Sequence, residues 1–348
     1  MNDLNKILES NIHKKPKSIG NYTVEHYSDS DFNELLNLYE IIFPGYMSPE
    51  LWVWKNKLNP SGKYLTFLIK VKNNIIAAYS ISPKIFSIKG QNYSCVQSMD
   101  TMTKSEYQGR GISTYLANLT YDYANKILGK SFVYGFPNTN SYYLFKEKLN
   151  WKSFGKVNLY IKDVKNKEIE YNMNKDYVIK EIDIFDNKIN DLWNKCKNIY
   201  PIIIRKDMQY LNWRFNQHPY IEYQKFLVFK NNNIVSYFIL KKYKDSKDNC
   251  IGHIVDYLVN SRQQNERKEL FECIEQYTLK KFHKNCIKIS FWNNDSDLKN
   301  LILKKLHYDL VQMNTFFGFK IFNLNDKRLN SLNTLNNWYI TMSNNDIF

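Results

Sequence analysis

The chain has 348 residues, of which 43% are hydrophobic, and this length is enough for two domains of about 150–200 residues each. Its formal net charge of +15 favours anionic partners, but no run of five like charges occurs, which weighs against dedicated nucleic-acid binding. The five cysteines are scattered without metal-ligand spacing, and neither a signal-peptide core nor a membrane-spanning apolar stretch is present. We therefore expect a cytoplasmic protein with reduced thiols, no metal and no membrane insertion.

A segment near residue 50 recurs near residue 210. Trp54 and Trp213 lie 159 residues apart, and the prolines that follow them keep this offset. After each proline come a strand-like run, an Asn-rich turn and a second apolar run, which is the pattern of a β-hairpin. The chain is therefore predicted to contain two related α+β domains, residues 20–163 and 177–348, joined by the charged stretch 164–176.

In the first domain, the pattern predicts a helix, a hairpin, a strand and a second helix, in that order. The first helix ends at Pro44-Gly45. After the hairpin, the apolar run from Tyr93 to Met102 predicts a strand. Apolar residues at helical spacing from Ile112 to Leu128 predict the second helix, and Gly129 is placed to end it.

The segment Gln108-Gly109-Arg110-Gly111-Ile112-Ser113 lies where this strand passes into the second helix. Such a junction turns backbone N–H groups outward beside the positive end of the helix dipole, which suits a diphosphate. Glycine lets the backbone approach the phosphates closely. Because short glycine motifs also arise by chance, the flanking strand and helix are what support this interpretation.

The loop resembles motif A of the GNAT superfamily of acyl-CoA N-acyltransferases, Gln/Arg-x-x-Gly-x-Gly/Ala, with Gln108, Gly111 and Ser113 at its fixed positions. The resemblance implies that the preceding strand splays near its end, and that a backbone N–H at Met102 or a neighbour binds the oxyanion of acyl transfer. It further implies that acyl-CoA is bound by Met102, Thr103, Gln108, Gly109, Arg110, Gly111, Ile112 and Ser113.

A second stretch, Phe136 to Tyr143, resembles motif B of the same superfamily. In that motif an Asn side chain commonly bonds the pantetheine arm, and Asn138 or Asn140 fits this role. The tyrosine that usually acts as the acid aligns here with Lys146, so the chain departs from the family at this position. Tyr142 or Tyr143 is the candidate substitute, with Tyr143 preferred, although aromatic residues at this spacing also fit core positions.

Three polar side chains are candidates for the general base. Asp100 lies two residues before the end of the predicted strand, close to where the thioester is expected, but a strand-ending Asp also satisfies local backbone donors. Asp256 is its counterpart in the second domain, and His253 lies three residues earlier. Both are candidates to reach the site from that domain, although a lone His in a β pattern is more often structural.

The second domain differs from the first at the glycine loop. Its matching region, residues 258–266, contains no glycine. We therefore expect acyl-CoA in the first domain only, with the second domain forming part of the acceptor pocket. The pairs Trp54-Lys55 and Trp213-Arg214 suit either a nucleotide diphosphate or a shared packing role, and their recurrence favours packing.

The whole chain resembles the tandem GNAT proteins of bacterial surface-polysaccharide loci, through segments 54–60, 100–103, 135–138, 213–219 and 337–348. This resemblance implies two mixed-sheet domains and the transfer of an acetyl or 3-hydroxybutanoyl group from acyl-CoA to a dTDP-3-amino-3,6-dideoxyhexose type of nucleotide-linked amino sugar. The oligomeric state is expected to be a monomer or homodimer. Two other hypotheses stay open: a Fem-type transferase that uses aminoacyl-tRNA, and a catalytically degenerate scaffold that binds CoA.

Overall fold

The computed structural model describes residues 21–165 and 174–348. Helices and strands follow one order in the first copy of the repeat: β1 (Thr23–His26), α1 (Phe32–Ile42), α2 (Pro49–Trp52), β2 (Leu65–Val71), β3 (Asn74–Ile88), β4 (Gln91–Thr103), α3 (Ile112–Lys126), β5 (Phe132–Gly135), α4 (Thr139–Tyr143) and β6 (Lys152–Asp163). Short π-helical turns continue α2 and α4, at Val53–Lys57 and Leu144–Lys148.

The second copy keeps this order and adds two short strands. It comprises β7 (Val178–Ile182), α5 (Ile189–Cys196), β8 (Ile202–Ile204), α6 (Met208–Phe215), β9 (Gln224–Lys230), β10 (Asn233–Lys244), β11 (Cys250–Val259), α7 (Gln264–Phe282), β12 (Lys288–Trp292), α8 (Ser296–Asn300), β13 (Asp309–Ile321) and β14 (Trp338–Tyr339). Strands β2, β3 and β4 begin 159 residues before β9, β10 and β11, which is the offset read from the sequence.

The chain forms two compact units that are not contiguous in sequence. Unit 1 comprises the chain up to Ile85, Tyr93–Gly155 and Thr315–Lys327. Unit 2 comprises Phe86–Asn92, Lys156–Asn314 and Arg328–Phe348. The predicted ranges 20–163 and 177–348 are contiguous, whereas each unit contains strands from both copies of the repeat. The last strand of the second copy, β13, pairs with β5 of the first copy, and the last strand of the first copy, β6, pairs with β12 of the second. Sequence periodicity does not reveal this exchange.

In unit 1 the strands follow the order β1-β2-β3-β4-β5-β13. The β4–β5 pair is parallel, and β13 pairs antiparallel with β5, from Gly318 opposite Gly135 to Ile321 opposite Phe132. One core cluster packs α3 against the sheet through Leu116, Phe67 and their neighbours. A second cluster contains residues of α1 and α2 together with Leu68 and Met102. Alternate strand residues thus fill two cores, as the period of a strand requires.

In unit 2 the order is β6-β12-β11-β10-β9-β7, with β11 and β12 parallel. Strand β6 pairs antiparallel with β12 from Leu159 to Asp163. Strand β8 pairs with β14 and with the tip of β3 at Phe86–Ile88. Helices and mixed strands alternate in both units, so the predicted α+β class is confirmed.

Candidate functional site

The loop between β4 and α3 has the backbone that its glycines predict. A 3₁₀ turn at Ser105–Tyr107 is followed by Gly109 and Gly111, whose φ angles are +76° and +78°. A Cβ added at either glycine meets no atom within 4 Å, so the loop borders open space. No side chain caps the N-terminus of α3, and its first turn holds no acidic residue. The first N–H groups of this helix are therefore available to an anion.

Short polar contacts fix the loop from beneath. Gln108 Nε2 donates to the Thr103 carbonyl oxygen at 3.0 Å, and Thr103 Oγ1 lies 3.1 Å from Ser113 Oγ. Arg110 donates to the Glu106 carbonyl oxygen and is itself exposed. The predicted fixed positions 108 and 113 thus hold the loop to the end of β4, while the glycines leave its surface open.

Strand β4 separates from β5 just before this loop. Their parallel pairing covers only Val96–Val133 and Gln97–Tyr134, while β4 continues to Thr103. The part of β4 paired with β5 therefore ends at Gln97, six residues before the end of the strand. The side chain of Met102 lies in a core cluster, so only its backbone is available for the predicted oxyanion role.

The corresponding junction in unit 2 has no side-chain cap either, but it has no glycine and its loop side chains bond to one another. Gln263 N donates to Ser261 Oγ at 3.0 Å, and Ser261 Oγ donates to Glu266 Oε2 at 2.7 Å. Glu266 also places a negative charge in the first turn of α7. A carboxylate at this helix end repels a phosphate and takes its place beside the helix dipole. An open glycine loop without a nearby carboxylate in the first helical turn occurs at the unit 1 junction and not at this one.

Asp100 lies in β4 with a φ of +31°, a value that side-chain-bearing residues rarely adopt. Its Oδ1 accepts a hydrogen bond from Lys55 Nζ at 3.1 Å, and both side chains are 5% exposed. Its Oδ2 is buried and has no hydrogen-bond partner in residues 21–165 and 174–348. Backbone strain beside an unpartnered buried oxygen is a frequent mark of a functional position.

Two tyrosines adjoin this ion pair. Lys55 Nζ lies 3.4 Å from Tyr46 Oη. Burial, and then the negative charge of Asp100, raise the pKa of Tyr39 well above its ordinary value. Tyr39 therefore stays a neutral phenol beside the carboxylate, and the pair Asp100–Lys55 carries the charge of this cluster.

Asp256 has the opposite surroundings. It is fully buried, and both of its oxygens accept hydrogen bonds from Lys206 Nζ at 2.7 Å. Tyr237 Oη and Thr341 Oγ1 donate to it at 2.7 and 2.6 Å. With every oxygen occupied and no exposed surface, Asp256 has the environment of a structural carboxylate, not of the predicted base.

His253 is held on the same strand as Asp256. Its Nδ1 lies 2.8 Å from Ser290 Oγ, and the imidazole is 9% exposed. Burial, and then the charge of Lys241, lower the pKa of His253 to about 4. The ring is neutral at neutral pH, and the structure gives it no contact with Asp100 or the glycine loop.

The candidates of the second motif lie on the surface of unit 1. Asn138 caps α4, since its Oδ1 accepts from Ser141 N at 3.0 Å, and it is exposed. Asn140 is also exposed. Tyr143 is 61% exposed, with Lys148 Nζ 5.5 Å from its ring centroid, and it forms no hydrogen bond with the other candidates in the described part of the chain.

Residues 23–153 match the family model described as acetyltransferase (GNAT) domain. No curated protein matches this chain in sequence. Among solved structures, a GCN5-related N-acetyltransferase from Anabaena variabilis is similar over 87% of this chain and 74% of its own, with 14% identity and a TM-score of 0.66. A probable N-acyltransferase from Enterococcus faecalis gives 13% identity, 86% and 72% coverage, and a TM-score of 0.66.

Saccharomyces cerevisiae N-myristoyltransferase, solved with bound myristoyl-CoA, is similar over 89% of this chain and 80% of its own, with 11% identity and a TM-score of 0.59. The chain has the GNAT fold. The predicted fold class is thus confirmed, and the match of residues 23–153 confirms the predicted enzyme class, an acyl-CoA-dependent N-acyltransferase. The open loop of unit 1 lies inside the matched range, and its uncapped helix start with no acidic residue in the first turn is compatible with the diphosphate of CoA.

The described part of the chain has neither a metal-type cluster of side chains nor a helix of the membrane-spanning type. The described residues contain no group of three or more His, Cys, Asp or Glu side chains placed to hold a metal. No helix within 21–165 or 174–348 is both long and apolar enough to cross a membrane.

Lys55 contacts the candidate base Asp100, and the sequence does not predict this role. The recurrence of a basic residue after Trp54 and Trp213 favours packing, and both tryptophans are buried. Yet Lys55 and Arg214 are buried as well, which a lysine or arginine tolerates only with polar partners. A charged residue recurring beside a buried Trp was the available signal, and its partner Asp100, 45 residues away, was not readable from the sequence.

Proposed function

We propose that this enzyme transfers an acetyl or 3-hydroxybutanoyl group from acyl-CoA to the amino group of a nucleotide-linked amino-dideoxy sugar used in surface-glycan synthesis. The observation that carries the donor is the open Gly109–Gly111 loop at the N-terminus of α3, set against the unit 2 junction, which has no glycine and has Glu266 in the first turn of its helix. The acceptor rests on the resemblance of the chain to the tandem GNAT proteins of polysaccharide loci, and the net charge of +15 suits two polyanionic substrates.

In this proposal, Gly109, Gly111 and the first N–H groups of α3 hold the diphosphate of CoA. Acyl-CoA, when bound, supplies an activated thioester carbonyl. The neutral acceptor amine forms a bond from its nitrogen to that carbonyl carbon, the carbon–sulfur bond breaks, the nitrogen loses its second proton and the thiolate takes up one, which leaves an amide and a thiol. Asp100 Oδ2, directly or through one water, accepts the proton that the acceptor ammonium must lose.

Several residues support this chemistry in the same proposal. Lys55 holds the Asp100 carboxylate in place through its 3.1 Å contact. Asn138 and Asn140 lie exposed at the start of α4, where a pantetheine arm is able to reach them. Tyr143 is exposed beside them and is the proposed proton donor to the leaving thiolate.

A thiol-release assay tests the proposal, with a panel of acyl-CoAs against dTDP- and UDP-linked amino sugars. Gly111→Trp is the test variant, because its side chain would fill the loop where a Cβ meets no atom within 4 Å. Gly129→Trp is the matched control, since Gly129 ends the same helix with a φ of +60° and equally open surroundings. Both variants carry similar backbone strain, but only the first blocks the diphosphate position.

We expect turnover with one amino sugar, retained in Gly129→Trp and lost in Gly111→Trp. Equal loss in both variants would assign the effect to strain and remove the loop from the site. Turnover of aminoacyl-tRNA but not of acyl-CoA would replace the proposal with the Fem-type alternative. CoA binding without turnover of any amine would leave a CoA-binding scaffold.

A further inference from the structure

Two cysteines of unit 2 lie with their sulfur atoms in contact, at a place that the proposed acyl transfer does not use. The Sγ atoms of Cys250 and Cys286 are 2.8 Å apart, although 36 residues separate them in the sequence. A disulfide bond has an S–S length of about 2.05 Å, so the two sulfurs need to approach by only about 0.8 Å to form one. All five cysteines of the chain are thiols in this structure.

Backbone hydrogen bonds hold both cysteines in place. Cys250 begins β11, and its carbonyl oxygen accepts a hydrogen bond from Ile287 N at 2.8 Å. Cys286 N donates to the Phe282 carbonyl oxygen, also at 2.8 Å, in the turn between α7 and β12. Strands β11 and β12 pair in parallel directly beyond these residues. The two backbones are therefore tied together at this point, which keeps the sulfur atoms close.

Gly252 allows the end of α7 to approach β11 this closely. A Cβ added at Gly252 would overlap the ring of Phe282. Phe282 is the last residue of α7, and its side chain is fully buried. The ring occupies the space that a larger residue at position 252 would need, and the turn that follows it brings Cys286 to Cys250. The sequence thus contains a glycine where this contact requires one.

The two thiols differ in their access to solvent. Cys250 is half-buried, whereas Cys286 is 3% exposed. Burial, and then the hydrogen bond and charge of Cys250, raise the pKa of Cys286 to about 12, so Cys286 stays a thiol at neutral pH. Since oxidants react with accessible cysteines, Cys250 is the member to react first and Cys286 is the member that resolves the product.

The other three cysteines have different surroundings. Cys95, Cys196 and Cys273 are at most 2% exposed. Burial raises the pKa of each of these thiols above its ordinary value. They are therefore protected from oxidants, and they serve as an internal reference for the oxidation of the pair.

We propose that Cys250 and Cys286 form a reversible disulfide when the protein reacts with a hydroperoxide. The Cys250 sulfur attacks the terminal oxygen, the oxygen–oxygen bond breaks, and the Cys250 proton goes to the leaving oxygen, which gives a sulfenic acid and an alcohol, or water from hydrogen peroxide. The Cys286 sulfur then bonds to the Cys250 sulfur, and the hydroxyl group leaves with the Cys286 proton as water. The two thiols lose two electrons, which the hydroperoxide accepts, and a dithiol restores them by exchange.

The disulfide would close a loop that contains the whole of α7, Gln264–Phe282. Closing a loop restricts the unfolded chain, and it stabilises the folded state when the native geometry already suits the bond. Because the sulfur atoms already lie 2.8 Å apart, we expect the oxidised protein to be the more stable form. This inference goes beyond the proposed function and does not depend on acyl transfer.

Mass spectrometry tests the inference, after treatment of the full chain with excess hydrogen peroxide and alkylation of the remaining thiols in denaturant. Cys250→Ser and Cys286→Ser are the test variants. Cys273→Ser is the matched control, because Cys273 is also a buried cysteine of unit 2 but lies within α7. Dimedone, which labels sulfenic acids, should trap the first product at Cys250 in Cys286→Ser.

We expect five alkylated cysteines in untreated native protein and three after peroxide, with residues 250 and 286 in one cross-linked pair of peptides. Dithiothreitol should restore all five. Cys273→Ser should form the same cross-link, and neither test variant should form it. The midpoint of thermal unfolding should be about 5–10 °C higher in oxidised than in reduced native protein.

Five alkylated cysteines after peroxide, a cross-link between other cysteines, or oxidation of Cys250 to a sulfinic acid without a cross-link would overturn the inference. A cross-link that leaves the unfolding midpoint unchanged or lower would overturn the claim that the native geometry suits the bond. Because the native protein is compared with itself before and after oxidation, these outcomes do not depend on how well the variants fold.

Discussion

Asp100 and Asp256 occupy corresponding positions on β4 and β11, 156 residues apart, and their surroundings are opposite. Asp100 has a strained backbone, one ion pair and one buried oxygen without a partner. Asp256 has no exposed surface and both oxygens occupied. The comparison teaches that a repeated carboxylate need not repeat its role, since a fully bonded one stabilises and an incompletely bonded one has capacity for chemistry.

We expect the largest effect from replacing Asp100, the carboxylate with an unpartnered oxygen. Asp100→Asn keeps the size of the side chain and removes the proposed proton acceptor, so we expect kcat/KM to fall by about 100- to 10,000-fold. CoA affinity, measured by calorimetry, should stay unchanged because the loop is intact. Activity within about threefold of native would move the general base to another residue.

The second prediction concerns Asp256, whose replacement should lower the stability of the protein. Asp256→Asn removes the anion of a fully buried pair and leaves Lys206 charged, which should lower the free energy of unfolding by about 3–5 kcal/mol in urea titration. Replacing both partners, Lys206→Met with Asp256→Leu, should recover most of this loss. A change below about 1 kcal/mol in the single variant would contradict the structural assignment of Asp256.

The lowered pKa of His253 should make the stability of the protein depend on pH. Because burial and Lys241 lower its pKa to about 4, the folded protein resists a proton that the unfolded chain accepts near its ordinary value of 6.5. The resulting penalty is absent above pH 6.5, grows as the pH falls to about 4, and is complete below it. When the pH falls from 6.5 to 4, the free energy of unfolding of His253→Gln should therefore decrease by up to roughly 3 kcal/mol less than that of the native protein. Parallel curves for variant and native protein would mean that His253 is not the group responsible.

The smallest effect concerns the loops rather than the carboxylates. Gly111→Ala and Gly129→Ala both place a side chain at positive φ and should each cost about 1 kcal/mol of stability. Only Gly111→Ala should also weaken CoA, because only that Cβ enters the proposed diphosphate position. Identical CoA affinities in the two variants would remove the basis for contrasting the glycine loop of unit 1 with the glycine-free loop of unit 2.

The sequence predicted the local features well. Hairpins, the strand before the glycine loop and the helix after it depend on spacing within about twenty residues, and α3 begins at Ile112 as predicted. The partners of buried charges were not predicted, because Lys55 meets Asp100 and Lys206 meets Asp256 across 45 and 50 residues. Besides the absence of glycine, the position of Glu266 near the start of the second helix is a difference between the junctions that the sequence itself contains.

Because each compact unit contains strands from both copies of the repeat, the chain cannot be cut between the copies without separating paired strands. A fragment ending near residue 165 would lack Thr315–Ile321, the part of β13 that covers β5, and the complementary fragment would lack the part of β6 that covers β12. Each would expose the backbone donors and acceptors of a former interior strand, which is a common origin of aggregation. If the two copies descend from one duplicated ancestor, that ancestor had to pair this edge either with the final strand of its own chain or, as in a domain-swapped dimer, with that of a second molecule.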